Sequence, residues 1–329
     1  MQLNVIPSTN TVEWNACLKR TSIYDIYHTC LYHNLDVSED ARLLVFEEND
    51  QIIALPLIFR DVPGTDWRDV TSVYGYAGWI YSQPEFPSCV FDLLKEYMES
   101  QRVVSVFSRL HPLIPYSDYF EVGKVVSLNT TTGIDMNLSP EGQFAAYKES
   151  VRRSISKSRK SGLSVRCAEN QDDLYAFIRV YYDAMNRLNA SSVYFFSEAY
   201  FEKMWNSKEF STFILLAELD GNIAGAAMFT VCNGIMQYHL GGVVDSYIHL
   251  SPLKILIDEA RNIAVSHRCR FFHLGGGYGG QNDQLFIFKS RMTSVRYTFK
   301  TLQWIVNPDT YSLLSENKED SDFFPLYRI

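Results

Sequence analysis

Two stretches of the chain carry the same pattern of apolar and polar positions. The first, LLVFEENDQIIALPLIF (residues 43–59), is an apolar run ending in acids, a polar turn at Glu48-Asn49-Asp50, and a second apolar run. The second, ILLAELDGNIAGAAMF (residues 214–229), repeats the pattern around Asp220-Gly221. Apolar runs of this length bounded by turn-forming residues predict paired strands, and Asp-Gly between them is a strong hairpin signal. A third strand with aromatic and glycine residues is expected after each hairpin. It is Val73-Tyr-Gly-Tyr-Ala-Gly-Trp79 in the first half and Met236-Gln-Tyr-His-Leu-Gly-Gly242, after a turn at Asn233-Gly234, in the second.

Helical segments flank both sets. Ser22 to Asn34 precedes the first, while Gln171 to Asn186 and Ser197 to Trp205, with Ser197 as N-cap, precede the second. Phe91 to Glu99 leads into Val103–Phe107, and Pro252 to Val265 leads into Cys269–Leu274. The order helix, helix, three strands, helix, strand therefore occurs twice. A duplicated α/β unit of this kind follows the order of the GNAT acyltransferase fold. The sequence reading divides the chain into residues 1–140 and 141–329.

Composition narrows the class. With 47% hydrophobic and 14% aromatic residues among 329, the chain has material for more than one core. A net charge of -8 repels nucleic acid and anionic membrane overall, so a polyanion needs a local basic patch. The cysteines (Cys17, Cys30, Cys89, Cys167, Cys232, Cys269) lack CxxC or Cys/His spacing, which argues against disulfide staples and zinc and for free thiols in a reducing compartment. Neither a leader pattern nor a membrane-length apolar run is evident, and a cytoplasmic protein is expected.

The most unusual segment is HLGGGYGGQNDQLFIFKSRM (residues 273–292), with five glycines in six positions. Gly275, Gly277 and Gly280 satisfy G-x-G-x-x-G, yet a dinucleotide fold requires a full helix at the loop and an acid about 20 residues on. Here the following helix is short and position 300 is Lys. A Walker loop fails too, since no Gly-Lys-Ser/Thr follows. Gly275, Gly276 and Gly277 instead suit a backbone that opens around a substrate after a strand end. Asn282 or Asp283 can cap a short helix with Leu285, Phe288 and Met292 on one face. Lys289 points elsewhere, either snorkelling at the surface, which the spacing favours, or held for an anionic group.

One dense basic run occurs, KESVRRSISKSRKSGLSVR (residues 148–166), holding seven Lys and Arg against Glu149. Residues 144–161 suit a helix stopped by Gly162. Its charges form either a solvated face or a contact surface for phosphate or nucleic acid.

RRSISKSRKSGLSV, YDAMNRLNASSVYFFSEAYFEKM, YHLGGVVDSYIHLSPLKILIDEA and FHLGGGYGGQNDQLFIFKSRM, with SVYGYAGW and FSRLHPL in the first half, resemble the Fem family. These are peptidoglycan-bridge aminoacyltransferases, with FemAB-like relatives in the acetyltransferase superfamily. The resemblance spans nearly the whole chain. It implies an α/β protein of two tandem GNAT-like domains related by duplication, with mixed sheets and flanking helices. It further implies an N-acyltransferase that forms an amide on an amine of a cell-envelope precursor for peptidoglycan or surface polysaccharide.

The implied donor is aminoacyl-tRNA or acyl-CoA such as acetyl-CoA, with no tightly bound cofactor. The implied partners are a nucleotide-linked or lipid-linked sugar or peptide precursor and tRNA. Lys289 matches a lysine at the reacting centre of Fem enzymes, and Arg153, Tyr194 and Tyr238 lie in segments lining the acceptor groove. Two departures stand out: there is no coiled-coil arm, and His249–Lys254 lacks the glycines of a coenzyme A pyrophosphate loop.

Amide formation requires a neutral amine, an oriented carbonyl and stabilisation of an oxyanion. Lys289, Tyr238 and His239 are the candidate catalytic residues, His239 competing with His273 as a base, each histidine also fitting a satisfied core position. Arg109, Arg152, Arg153, Tyr194, Gly275, Gly276 and Gly277 are candidate substrate contacts, the arginines for a diphosphate. The competing reading is a non-catalytic module in which degenerate GNAT domains keep a nucleotide-sugar pocket.

Overall fold

The computed structural model describes residues 1–35, 40–116, 120–277, 283–319 and 321–329. The first part of the chain forms β1 (Gln2–Pro7), α1 (Thr11–Leu18), α2 (Cys30–His33), β2 (Asp40–Glu48), β3 (Gln51–Asp61), β4 (Arg68–Thr71), β5 (Ile80–Tyr81), α3 (Ser88–Ser100) and β6 (Val103–Arg109). After β7 (Lys124–Ile134) come α4 (Pro140–Ala145), α5 (Glu149–Lys160), β8 (Ser164–Cys167), α6 (Gln171–Arg187) and α7 (Glu198–Trp205). The chain continues with β9 (Ser211–Leu219), β10 (Asn222–Cys232), β11 (Ile235–Val243), α8 (Pro252–Ser266), β12 (Phe271–Gly275) and α9 (Gln284–Ser290). It ends with β13 (Arg296–Ile305) and α10 (Pro308–Ser315).

Two compact units result, Met1–Asn129 with Thr298–Ile329, and Thr130–Tyr297. In the first, strands run in the order β1-β2-β3-β4-β6-β13, with β5 on β3. Of these neighbours only β4 and β6 are parallel, joined by the α3 crossover. In the second the order is β8-β9-β10-β11-β12-β7, and again one pair, β11 with β12, is parallel and joined by a helix, α8. The two sheets thus share one topology, and the fold is a duplicated α/β unit.

The turns explain why the hairpins were legible. Asp220 and Gly221 have φ of 50° and 76°, and Asn233 and Gly234 have 45° and 75°. Positive φ at both central residues gives the turn whose twist matches paired strands, and Asn, Asp and Gly adopt it at least cost.

Three boundaries differ from the sequence reading. A boundary at residues 140/141 places the whole C-terminal segment in the second domain, whereas β13 pairs with β6 from Thr301↔Arg109 to Ile305↔Ser105, so that segment completes the first unit's sheet. Tyr327 then bonds Ser105 at 2.7 Å and Arg328 pairs with the buried Asp69 at 2.6 Å, fixing the tail on the same unit. The third strand of the first unit is Arg68–Thr71, not Val73–Trp79. The later segment lies outside the sheet; in it Gly75 has φ of 115° and packs against Tyr27, where an added Cβ would lie 2.2 Å from the ring. Finally, residues 144–161 form two helices rather than one. The amide of Lys148 donates to Arg291 O at 3.0 Å instead of continuing α4.

The core of the second unit lies between its sheet and α5 and α8. Val151 and Ile155 of α5 and Ile255, Leu256 and Ala260 of α8 pack on Ala227, Phe229 and Phe272 of the strands. Each large side chain buried this fully contributes roughly 1.5–3 kcal/mol. All six cysteines are free. Among the described residues no helix is long and apolar enough to cross a membrane, and no cluster of metal-ligating side chains occurs.

Candidate functional site

In the second unit the parallel pairing of β11 with β12 covers Ile235↔Phe271, Met236↔Phe272 and Gln237↔His273. Beyond it β11 continues to Val243, and Tyr238 is the first residue past the last pair. The pairing of β11 with β10 also changes here: Tyr238 faces Phe229 and Leu240 faces Met228, which leaves His239 as the extra residue of a bulge. Bulges redirect side chains. Tyr238 packs on Phe229, ring centres 5.5 Å apart, whereas His239 turns to Tyr200 of α7, its Nε2 2.6 Å from the hydroxyl.

Lys289 fills the place beside Tyr238. Asp283 caps α9 by accepting from Phe286 N at 2.8 Å; the alternative cap, Asn282, and Gly280 lie outside the described residues. Of the expected apolar face, Phe288 and Met292 do pack on the core, but Leu285 does not, and Lys289 turns inward with them. Leu285 and Ile287 are each 38% exposed, while Lys289 is 6% exposed. The snorkelling position favoured by spacing is therefore not the one adopted. Lys289 Nζ donates to Gly276 O at 2.7 Å and stands 5.4 Å from the centre of the Tyr238 ring. One carbonyl and one ring face are poor replacements for water, so burial pushes the lysine pKa down to about 7, with Asp283 opposing the shift. Burial pushes the Tyr238 phenol well above its usual range, which keeps it protonated, and holds His239 down at about 4, which keeps it neutral at pH 7.

The glycines shape the strand end. Gly275 has φ of 78°, and a Cβ on Gly276 would approach Thr130 O at 3.3 Å. Gly277 follows at the limit of the described segment. His273, the rival base, is fully buried, one ring nitrogen 2.8 Å from Gln237 Oε1 and the other 2.7 Å from Thr131 Oγ1. It is a satisfied core histidine.

The remaining candidates are distributed. Tyr194 is partly buried, and its carbonyl accepts from Tyr181 OH of α6 at 2.7 Å. Arg152 and Arg153 lie on α5, the first donating to Ala145 O at 2.6 Å and the second 3.7 Å from Glu149. Arg109 belongs to the first unit, where its guanidinium covers Phe107 at 5.0 Å and its amide donates to Ser72 Oγ at 3.1 Å. Lys289, Tyr238 and Gly276 are the candidates brought into direct contact.

Sequence reasoning passed over Lys254. It occupies the first turn of α8, and its Nζ donates to Ser154 Oγ of α5 at 2.9 Å and lies 3.4 Å from Ser251 Oγ. Burial, and then the charge of Arg291, push its pKa down. Ser158 of α5 donates to Leu250 O. Together these bonds brace α5 across the start of α8. A lysine at the positive end of a helix dipole was the available signal.

A mixed sheet whose one parallel pair is joined by a helix crossover has the topology of the GNAT fold. Residues 145–283 match the family model described as an acetyltransferase (GNAT) domain. No curated protein matches the chain in sequence. Among solved structures, FemX superposes with a TM-score of 0.70 at 13% identity, covering 95% of this chain and 99% of FemX. A conserved protein of unknown function from Bacteroides thetaiotaomicron gives 0.60 at 10%, covering 93% and 99%. The C-terminal domain of a putative lysylphosphatidylglycerol synthetase from Agrobacterium fabrum gives 0.58 at 13%, covering 93% and 95%. At these identities the likeness is one of fold, and the chain is FemAB-like in that sense.

Proposed function

We propose that the protein is an N-acyltransferase of the Fem-like type, forming an amide on an amine of a peptidoglycan or surface-polysaccharide precursor. The observation that carries this reading is the buried Lys289 beside Tyr238, where β11 and β12 cease to pair. The fold likeness to FemX supports it.

In this reading the neutral amine of the acceptor attacks the carbonyl carbon of the donor ester. The new C–N bond forms as the carbonyl oxygen takes the negative charge, and the C–O bond to the leaving group then breaks. The amine's proton passes to the departing oxygen or to solvent. Lys289, about half charged at neutral pH, stabilises the oxyanion, and the protonated Tyr238 phenol adds a neutral donor. A preorganised cation in a water-poor site is worth far more than one in bulk water. The bond from His239 to Tyr200 favours a positioning role over base chemistry.

The brace of Lys254, Ser154 and Ser251 at the start of α8 favours aminoacyl-tRNA over acyl-CoA as donor. A coenzyme A diphosphate bound at that helix end would have to displace it. The test is amide formation from charged tRNA or acetyl-CoA on a UDP-linked muramyl peptide, followed by mass spectrometry. The wild type should yield product, and Lys289→Met should lose about 10²–10³-fold in kcat with acceptor affinity retained. Acceptor binding without product from either donor would sink the reading in favour of a binding module.

A further inference from the structure

One strand of the second unit is bonded to both sides of the Lys289 contact. β7 pairs with β12 at Phe272↔Ile134, His273↔Gly133 and Gly275↔Thr132, so Leu274 is the extra residue of a bulge. Past the bulge Gly275 turns to φ of 78°, and Gly276, whose carbonyl Lys289 takes, lies beyond the strand. The ladder therefore stops one residue short of Gly276. A side chain reinforces that last pair: Thr132 Oγ1 donates to Gly275 O at 3.3 Å.

The lysine's side is tied to the next residue of the same strand. With seven residues, α9 is too short to hold a position on its own. Thr293, which follows it, donates from Oγ1 to Gly133 O at 2.7 Å and accepts from Val295 N at 3.0 Å. Gly133 lets β7 lie this close, since a Cβ there would stand 2.8 Å from the Tyr297 ring and 2.9 Å from Phe272 O. Thr132 and Thr293 are both buried, so neither bond competes with bulk water.

We propose that Thr132 and Thr293 are positioning residues for acyl transfer, holding Gly276 O and Lys289 Nζ together through adjacent residues of β7. This deepens the acyl-transfer reading, on which it rests, by naming what aims the cation. The two hydroxyls act on opposite partners of one hydrogen bond. Thr132 fixes the strand end that presents the carbonyl, and Thr293 fixes the end of the helix that carries the ammonium. Release of either lets Lys289 swing from Tyr238 towards water. A misplacement of about 1 Å at a reacting centre costs up to about 10²-fold in rate.

The probe is the Lys289 amine itself, in protein carrying carbon-13 at lysine Cε and titrated by NMR, with Lys289→Arg identifying its signal. In the wild type the midpoint should lie at about 7, where burial holds it against the Asp283 charge and beside the Tyr238 ring. Thr293→Val and Thr132→Val keep the side-chain shape and remove the hydroxyl. Each should raise the midpoint by about one unit as water reaches the amine. Each should also lower kcat for amide formation about tenfold or more, with the acceptor KM unchanged. Thr293→Ser and Thr132→Ser should stay near the wild type in both measurements. Thr230→Val, at a buried β10 hydroxyl without a partner among the described residues, should change neither.

Folded valine variants that lose melting temperature but keep the wild-type midpoint would overturn the proposal and make both threonines structural only. Serine variants that change as much as the valine ones would overturn it too, because the hydroxyl would then not be the agent. Where Thr293→Val does not fold, Thr132→Val decides, since its longer bond contributes less to the fold. A midpoint that moves in the variants while the wild type yields no amide from any donor overturns the acyl-transfer reading and leaves the anchor standing. An active wild type with an unmoved midpoint in both valine variants does the reverse.

Discussion

Lys289 Nζ stands 5.4 Å from the centre of the Tyr238 ring while donating to Gly276 O at 2.7 Å, so a buried ammonium is held by a ring face and one carbonyl dipole. Neither partner carries a formal charge. The site keeps a cation whose charge is only weakly supported, and this makes it responsive to pH and to an incoming oxyanion.

A first consequence concerns rate. With the Lys289 pKa pushed down to about 7, the charged form is lost as pH rises through neutrality. If the cation stabilises the oxyanion, kcat/KM should fall above pH 7 with a midpoint near that value, since this parameter reports the free enzyme. Lys289→Arg should abolish that limb, because the guanidinium stays charged. A profile that rises through pH 7 in the wild type would reassign Lys289 as a base.

Stability should respond in the opposite sense. In the unfolded chain a lysine titrates near pH 10.4, so between about 7 and 10.4 the unfolded state binds more protons and folding gains with pH. Below about 7 the lysine is charged in both states and the full burial cost, on the order of 4 kcal/mol, is present. Lys289→Met should therefore be more stable than the wild type at pH 7, and the gap should close towards pH 10. Paired urea titrations at pH 7 and 9.5 measure it, and a pH-independent gap would contradict the burial described.

Burial of Lys289 was not legible in the sequence, and the reason is physical. In the seven-residue helix α9 the apolar positions Leu285 and Phe288 are too few to show that Lys289 turns inward beside Phe288 while Leu285 stays exposed. The glycine strand end does so instead, because Gly276 offers the carbonyl that the ammonium takes. The hairpins were legible because Asp220-Gly221 and Asn233-Gly234 encode their turns locally. The pairing of β13 with β6 was not, since Thr301 and Arg109 are far apart in sequence and neither strand names its partner. Likewise, nothing local says that His239 falls in a bulge and turns to Tyr200.

The first unit should show its own acid sensitivity. His28 and His33 are fully buried, and burial holds the first well below its usual pKa and the second at about 4. Unfolded histidines titrate near 6.5, so as pH falls below that value the unfolded state takes up protons that the folded state refuses. Stability contributed by the neutral rings is complete above about pH 7 and is lost progressively towards pH 4. His33→Phe, which keeps a ring beside Trp14, should reduce the proton uptake on unfolding at pH 5 by about one. An uptake equal to that of the wild type would show that His33 is charged when folded.

One of the contacts that hold α5 ends on a buried carboxylate of α8. Asp258 is 1% exposed and accepts from Arg159 at 2.7 Å and from Arg261 at 3.1 Å, and Arg261 also reaches Gln143 at 3.3 Å. Removing the carboxylate leaves Arg261, itself 5% exposed, buried without its counter-charge. Breaking a buried pair from one side costs about 3–5 kcal/mol. Asp258→Ala should therefore lose that much in urea unfolding, whereas Arg159→Ala, whose side chain is 51% exposed, should lose about 1 kcal/mol or less. Hydrogen exchange should show the α5 amides opening in Asp258→Ala before those of β10. If the two variants lose equal stability, the cost comes from the Arg159–Asp258 bridge and not from leaving Arg261 buried without its counter-charge.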